Sequence, residues 1–129
     1  MGPWVNPEAV LVAFLTEALA GPLVTTELGN DLLDALPVVH VQRVGGDDDG
    51  LRLDRALVDV DVYAATRVDA ADLAEQVRAQ LLGVLRGSTQ PTAVVGLVAT
   101  VSAPSWRPYE NVELRRCGAT YELFLHPVS

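Results

Sequence analysis

Asp59 and Asp61 stand two residues apart in the segment ALVDVDVYA, and Tyr63 follows on the same alternation. Side chains two apart share one face of a strand, so this spacing presents both carboxylates together. Paired carboxylates suit general acid–base chemistry, provided one stays protonated while its neighbour ionises. That split requires a pocket with contrasting surroundings, and the local sequence offers only Leu57 and Tyr63. A strand face turned to water, or to the wall of a lumen, accounts better for Asp59, Asp61 and Tyr63. A second acidic group, Asp47-Asp48-Asp49-Gly50, invites a calcium reading. With Gly50 at the sixth position of a calcium loop, Gly45 and Ala56 fall at the first and twelfth, where acids are required. A solvated turn with aspartate-to-backbone bonds is expected instead.

The remaining reactive residue types lack partners at useful spacings. His40, His126 and Cys117 are too scattered along the chain for a zinc site. Cys117 cannot form an internal disulfide and has no evident thiolate-stabilising neighbour, so an inert thiol is expected. Ser88, Ser102 and Ser105 lack a nucleophile-elbow context, and Gly45-Gly46 is followed by acids rather than by Lys and Ser/Thr. No catalytic residue, metal ligand or cofactor is expected. Trp106-Arg107, bracketed by Pro104 and Pro108, carries a different chemistry: it is either a lid on the core or an interface anchor.

Composition narrows the function classes. The formal net charge is −8, and all nine basic residues are arginine, none before Arg43. A nucleic-acid binder needs a basic stripe to neutralise phosphates, so tight DNA binding is not expected; an acidic wall past which DNA slides remains compatible. Half of the residues are hydrophobic and only 5% aromatic, so Val, Leu and Ala must build the core. The apolar run near the N-terminus lacks the positive start of an export signal, with Glu8 and Glu17 flanking it instead. It is also well short of the ~20 apolar residues that span a bilayer, and Asn6 stands where myristoylation through Gly2 would want Ser or Thr.

The elements that must carry these residues follow from caps and periodicity. Asn6, Pro7 and Glu8 signal a helix over residues 7 to about 20, ended by Gly21-Pro22. A short strand over 23–28 and a linker over 29–36 are expected, then strands over about 38–44 and 56–64 separated by a loop from Gly45 to Arg55. Asp69 is read as the cap of a second helix over about 69–86, with Leu73, Val77, Leu81 and Leu85 as its apolar stripe and Gly87 as its stop. The apolar run 93–101 reads as a central strand within a segment reaching about 103. Strands over about 111–116 and 120–126 are expected to form a hairpin around Cys117-Gly118-Ala119. This order predicts a single α+β domain: a mainly antiparallel sheet with two helices packed on one face.

Together these segments resemble the tail terminator proteins of long-tailed bacteriophages, also called tail completion or head–tail joining proteins. The residues carrying the resemblance are the N-terminal helix, Leu36-Pro37-Val38-Val39-His40-Val41 with Arg43 and Gly45-Gly46, and the strand from Asp54 to Tyr63. The helix from Ala70 to Leu85 continues it, as do Trp106-Arg107-Pro108, Asn111, Val112, Arg115-Arg116 and Tyr121. The resemblance implies a non-catalytic virion protein, assembled in the host cytoplasm as a homo-hexameric ring. Such a ring caps the tail tube, stops its growth, and joins the major tail tube protein to a head-completion or connector protein. DNA passes through its lumen without specific binding, and no membrane is involved. Within that picture Asp59, Asp61 and Tyr63 are expected to face the lumen. Gly45, Gly46, Asp47, Asp48, Asp49, Gly50, Arg52 and Arg55 are expected to touch the tube or a neighbouring subunit, with Trp106 and Arg107 as interface anchors. Another neck or tail-tube subunit, or a small α+β ligand-binding domain or enzyme using Asp59, Asp61 and His40, are the alternatives.

Overall fold

The first helix begins where its cap chemistry puts it: Asn6 Oδ1 accepts the Ala9 N–H at 3.2 Å and Pro7 occupies the first turn of α1 (Pro7–Ala18). The computed structural model describes residues 4–111 and 113–128; Gly2 and Val112 of the sequence reading lie outside them. After α1 come β1 (Leu23–Thr25), the one-turn helix α2 (Leu32–Ala35), β2 (Val38–Asp48) and β3 (Asp54–Ala64). Helix α3 (Arg67–Gln80) then runs into a π-helical turn over Leu81–Leu85, followed by β4 (Ser88–Thr89), β5 (Ala93–Trp106) and β6 (Arg115–Pro127).

The strands form one sheet in the order β1-β2-β3-β6-β5-β4, antiparallel except for the parallel β1–β2 pair. Strand alternation sends Val58, Val60 and Val62 of β3 to one face with Val39 and Val41 of β2 and Leu123 and Leu125 of β6, and all are buried. Against that face pack α1, through Val10, Leu11 and Leu15, and α3 with its π turn, through Leu73, Val77, Leu81 and Leu85. The sheet and the two-helix layer are therefore those expected from the sequence. On the opposite face a smaller cluster joins Val38, Tyr63 and Leu114, with Leu32, Leu36 and Tyr109 packed on it. The Tyr63 and Tyr109 rings meet edge to face at 5.4 Å.

Five local expectations are corrected. The predicted hairpin around Gly118 does not exist: β6 runs unbroken through Cys117, Gly118 and Ala119, pairing with β3 on one side and β5 on the other. The predicted loop from Gly45 to Arg55 is mostly ladder, with Asp47 opposite Arg55 and Asp48 opposite Asp54, so only residues 49–53 turn. The register shifts between Arg43 and Gly45, so Val44 forms a bulge, and Gly45 and Gly46, at φ 150° and 107°, continue the ladder rather than turning. A Cβ on Gly46 would collide with the Arg55 carbonyl oxygen and sit 3.0 Å from Ala56 Cα. The apolar run 93–101 is not central, since β5 is flanked outside only by the short β4 and Val101 is exposed; an apolar run reads alike in either position. Helix α3 starts two residues early, because Thr66 Oγ1 accepts the Asp69 N–H at 3.1 Å and takes the cap from Asp69. The linker 29–36 contains α2.

Tyr121 sits in the main core with its hydroxyl buried and, among the described residues, without a hydrogen-bond partner. Burial pushes its pKa up to about 12. An unsatisfied buried hydroxyl is a standing cost, so Tyr121→Phe is expected to stabilise the fold by about 1 kcal/mol, read as a rise of about 3–5 °C in the melting temperature.

Candidate functional site

Chemistry-bearing side chains gather at three places: the outer sheet face, the tip of the β2–β3 hairpin, and the end of β5. On the outer face, cross-strand register sets Asp59 opposite Thr120 and Asp61 opposite Gly118. Thr120 donates its hydroxyl to Asp59 Oδ1. Past the end of β5, Arg107 reaches back over this pair: its Nη1 donates to Asp61 Oδ1 at 3.1 Å and lies 3.9 Å from Asp59 Oδ2. The backbone of Arg107 is tied down as its N–H donates to the Arg116 carbonyl at 2.9 Å. Arg116 in turn donates to the carbonyls of Arg107 and Pro108 and lies over the Tyr109 ring. Arg107, Pro108 and Tyr109 are thus clipped onto the sheet by arginines.

Gly118 is what lets the clip close. A Cβ there would collide with Asp61 Oδ1 and lie 2.7 Å from both Arg107 Cδ and Nη1. Burial, opposed by the Arg107 and Arg116 charges, holds the Asp61 pKa above the usual aspartate value. Of the three residues expected on an open face, Asp59 keeps a side chain 27% exposed, Asp61 only 12%, and Tyr63 is buried under Tyr109 and Leu114. The Tyr63 expectation is therefore corrected: strand alternation shows the face of a side chain, but not that a later segment folds over it.

The hairpin tip is a set of local bonds. Asp49 Oδ1 accepts the N–H groups of Leu51, Arg52 and Leu53 at 2.8–3.0 Å, and Asp48 Oδ1 accepts that of Gly50 at 2.8 Å. These donors hold the Asp49 pKa below the ordinary aspartate value. This is the aspartate-to-backbone turn expected from the sequence. Arg55 bonds Asp47 Oδ1 at 2.6 Å across the ladder, and Arg43 grips the buried Asp54 with both Nη atoms, at 2.6 and 2.8 Å. The Arg43 N–H also donates to Glu8 at 2.8 Å, which fastens the bulge to the start of α1. Arg52 donates to the Pro127 carbonyl at 2.7 Å, pinning the tip to the end of β6.

At the end of β5 the Trp106 ring is 37% exposed, with the Arg67 guanidinium 5.1 Å from its centroid. Arg67, at the first turn of α3, was not singled out in the sequence; its place over Trp106 depends on a contact between distant segments. His40 Nε2 lies 3.1 Å from the Thr26 carbonyl, away from His126 at the hairpin tip. The Cys117 thiol is buried, and burial pushes its pKa up, as suits a core thiol rather than a nucleophile. An open groove of ≈ 490 Å³ runs between the end of α1, Pro37 and the first turns of α3, and neither Asp59 nor Asp61 lines it. The carboxylate pair is engaged by Thr120 and Arg107, and its geometry is that of a structural clamp.

The fold is a mainly antiparallel sheet backed by two helices, with many of its charged residues engaged in clamps and in an acidic hairpin. The sequence model of the family described as phage tail termination protein matches residues 4–104, and the chain belongs to that family. It is accordingly a phage tail structural protein and a component of the virion. Among solved structures, a chain of the "Virion of native gene transfer agent (GTA) particle" shares the fold, with a TM-score of 0.50 at 16% identity, covering 92% of this chain and 85% of that one. A comparison with curated proteins finds no match.

Gly118→Ala is expected to cost about 1–3 kcal/mol by forcing the clamp open, and Arg107→Ala a similar amount by leaving Asp61 without its charge partner; chemical denaturation measures both. Because the folded pKa of Asp61 is raised, its contribution to stability is fully present in acid and is lost as pH rises through that folded value. The stability of the wild type relative to Asp61→Asn is therefore expected to fall as pH rises across this window, as read by urea unfolding at a series of pH values.

Proposed function

We propose that six copies of this chain close into a ring that caps the tail tube, ends its polymerisation and presents the surface on which the DNA-filled head docks. The observation that carries this reading is the family match, which spans α1, the acidic hairpin, the Asp59–Asp61 strand, α3 and most of β5. The ring forms in the host cytoplasm, meets the major tail tube protein on one side and a head-completion or connector protein on the other, and carries no catalytic residue.

Charge supports the role of a conduit. Six copies at −8 each carry −48, and a bore lined by the outer sheet face would repel the phosphate backbone, so DNA would slide without sticking. In this reading Asp59 is the lumen-facing carboxylate, with Asp61 beneath it charge-balanced by Arg107. The hairpin from Gly45 to Arg55 is the contact arm. Its tip is made rigid by the Asp49 bonds, which lowers the ordering entropy lost when it docks.

Mass photometry and negative-stain imaging across a concentration series test the reading. Single rings of six are the expected species; stacked tubes would reassign the chain as a tube subunit, and a monomer at every concentration would overturn the ring. Phage lacking this chain are expected to produce tails of irregular length that fail to join heads, as counted by electron microscopy of lysates.

A further inference from the structure

We propose that the acidic hairpin tip of one copy docks on the Trp106–Arg67 patch of the next copy of this chain, a joint that rests on the ring reading and names its two surfaces. The tip offers an apolar knob within an acidic collar. Leu51 is 73% exposed, the most exposed of the large hydrophobic side chains among the described residues. Asp48 and Asp49 enter no ion pair among the described residues, and their side-chain hydrogen bonds use only Oδ1 of each carboxylate. The patch offers the complement. Trp106 is 37% exposed and Val68, next to Arg67, is 68% exposed. Arg67 stacks over Trp106 and makes no ion pair among the described residues. An apolar knob with acids thus faces an aromatic platform with a cation, and Trp and Arg are the residue types that dominate binding energy at interfaces.

Topology keeps the two surfaces apart within one chain. The tip adjoins Asp54, which pairs with Leu125, while Trp106 pairs with Cys117, the partner of Val62 near the other end of β3. Asp54 and Val62 are eight steps apart along the strand, roughly 25 Å at the rise of a strand, so knob and patch cannot meet intramolecularly. Contacts between different surfaces at opposite ends join copies head to tail and close into a ring when the rotation allows. Of the acids of α3, Glu75 lies on the same flank as Arg67 but is paired with Arg78 at 3.6 Å, and the other two turn away. At about 100° per residue Asp69 and Asp72 fall on the far flank of the helix from Arg67, where they border the groove beside Ala64 and Ala65.

Leu51→Asp and Arg67→Glu, each checked for an unchanged circular dichroism spectrum, test the joint by mass photometry of the full chain. Each is expected to raise the concentration at which rings form by about tenfold or more. An equimolar mixture of the two should give pairs and nothing larger, because the first variant keeps an intact patch and the second an intact tip. Rings forming in both variants as readily as in wild type, or a mixture without pairs, would overturn this joint and leave the ring reading standing. A wild-type chain that stays monomeric throughout would overturn the ring reading and the joint together.

Discussion

The unbroken pairing of β3 with β6, from Asp54 opposite Leu125 to Ala64 opposite Arg115, governs which side chains meet the helices and which meet the outside. Because side chains alternate, this one register sends Val58, Val60, Val62, Tyr121, Leu123 and Leu125 to the core and Asp59, Asp61 and Tyr63 away from it. A slip by one residue would bury the aspartates against α1 and α3 and expose the valines, so the hydrophobic pattern specifies the register strongly. The same pairing brings Gly118 opposite Asp61, and only a residue without a Cβ leaves space there for Arg107.

From that ladder the polar architecture follows. The chain is short of cations, and several of its arginines are spent where an acid would otherwise be buried or crowded: Arg43 on Asp54, Arg55 on Asp47, and Arg107 on Asp61 and Asp59. These pairs differ in worth. Asp54 is buried and gripped at two atoms, whereas the Arg55–Asp47 pair lies at the surface, where water and salt screen it. The excess of acid remains on the surface, where it would repel a phosphate backbone. Arg67 differs from the paired arginines in spending its charge on an exposed aromatic ring.

Much of the fold was legible in the sequence because it depends on near neighbours. The Asn6-Pro7-Glu8 cap, the four-residue stripe from Leu73 to Leu85 and the alternation from Val58 to Val62 are each readable within one or two turns or strand repeats, and each stands as read. The hairpin around Gly118 and the loop after Gly45 were misread for one reason. Glycine is a turn signal when judged locally, yet here it answers to atoms distant in sequence: the Arg55 carbonyl against Gly46, and Asp61 with Arg107 against Gly118. The central placement given to residues 93–101 failed differently, since an apolar run does not carry its position in the sheet.

By itself the sequence determined the class of fold, the core-facing stripes, the local bonds of the acidic tip and the shortage of positive charge, all properties of residue type and short spacing. Only the tertiary structure decided that Tyr63 is covered, that Arg107 clamps Asp61, that Arg67 stacks on Trp106, and that tip and patch lie at opposite ends of the sheet. Those outcomes depend on which distant segments are brought together, and the register of a sheet, not the pattern of any one strand, sets that.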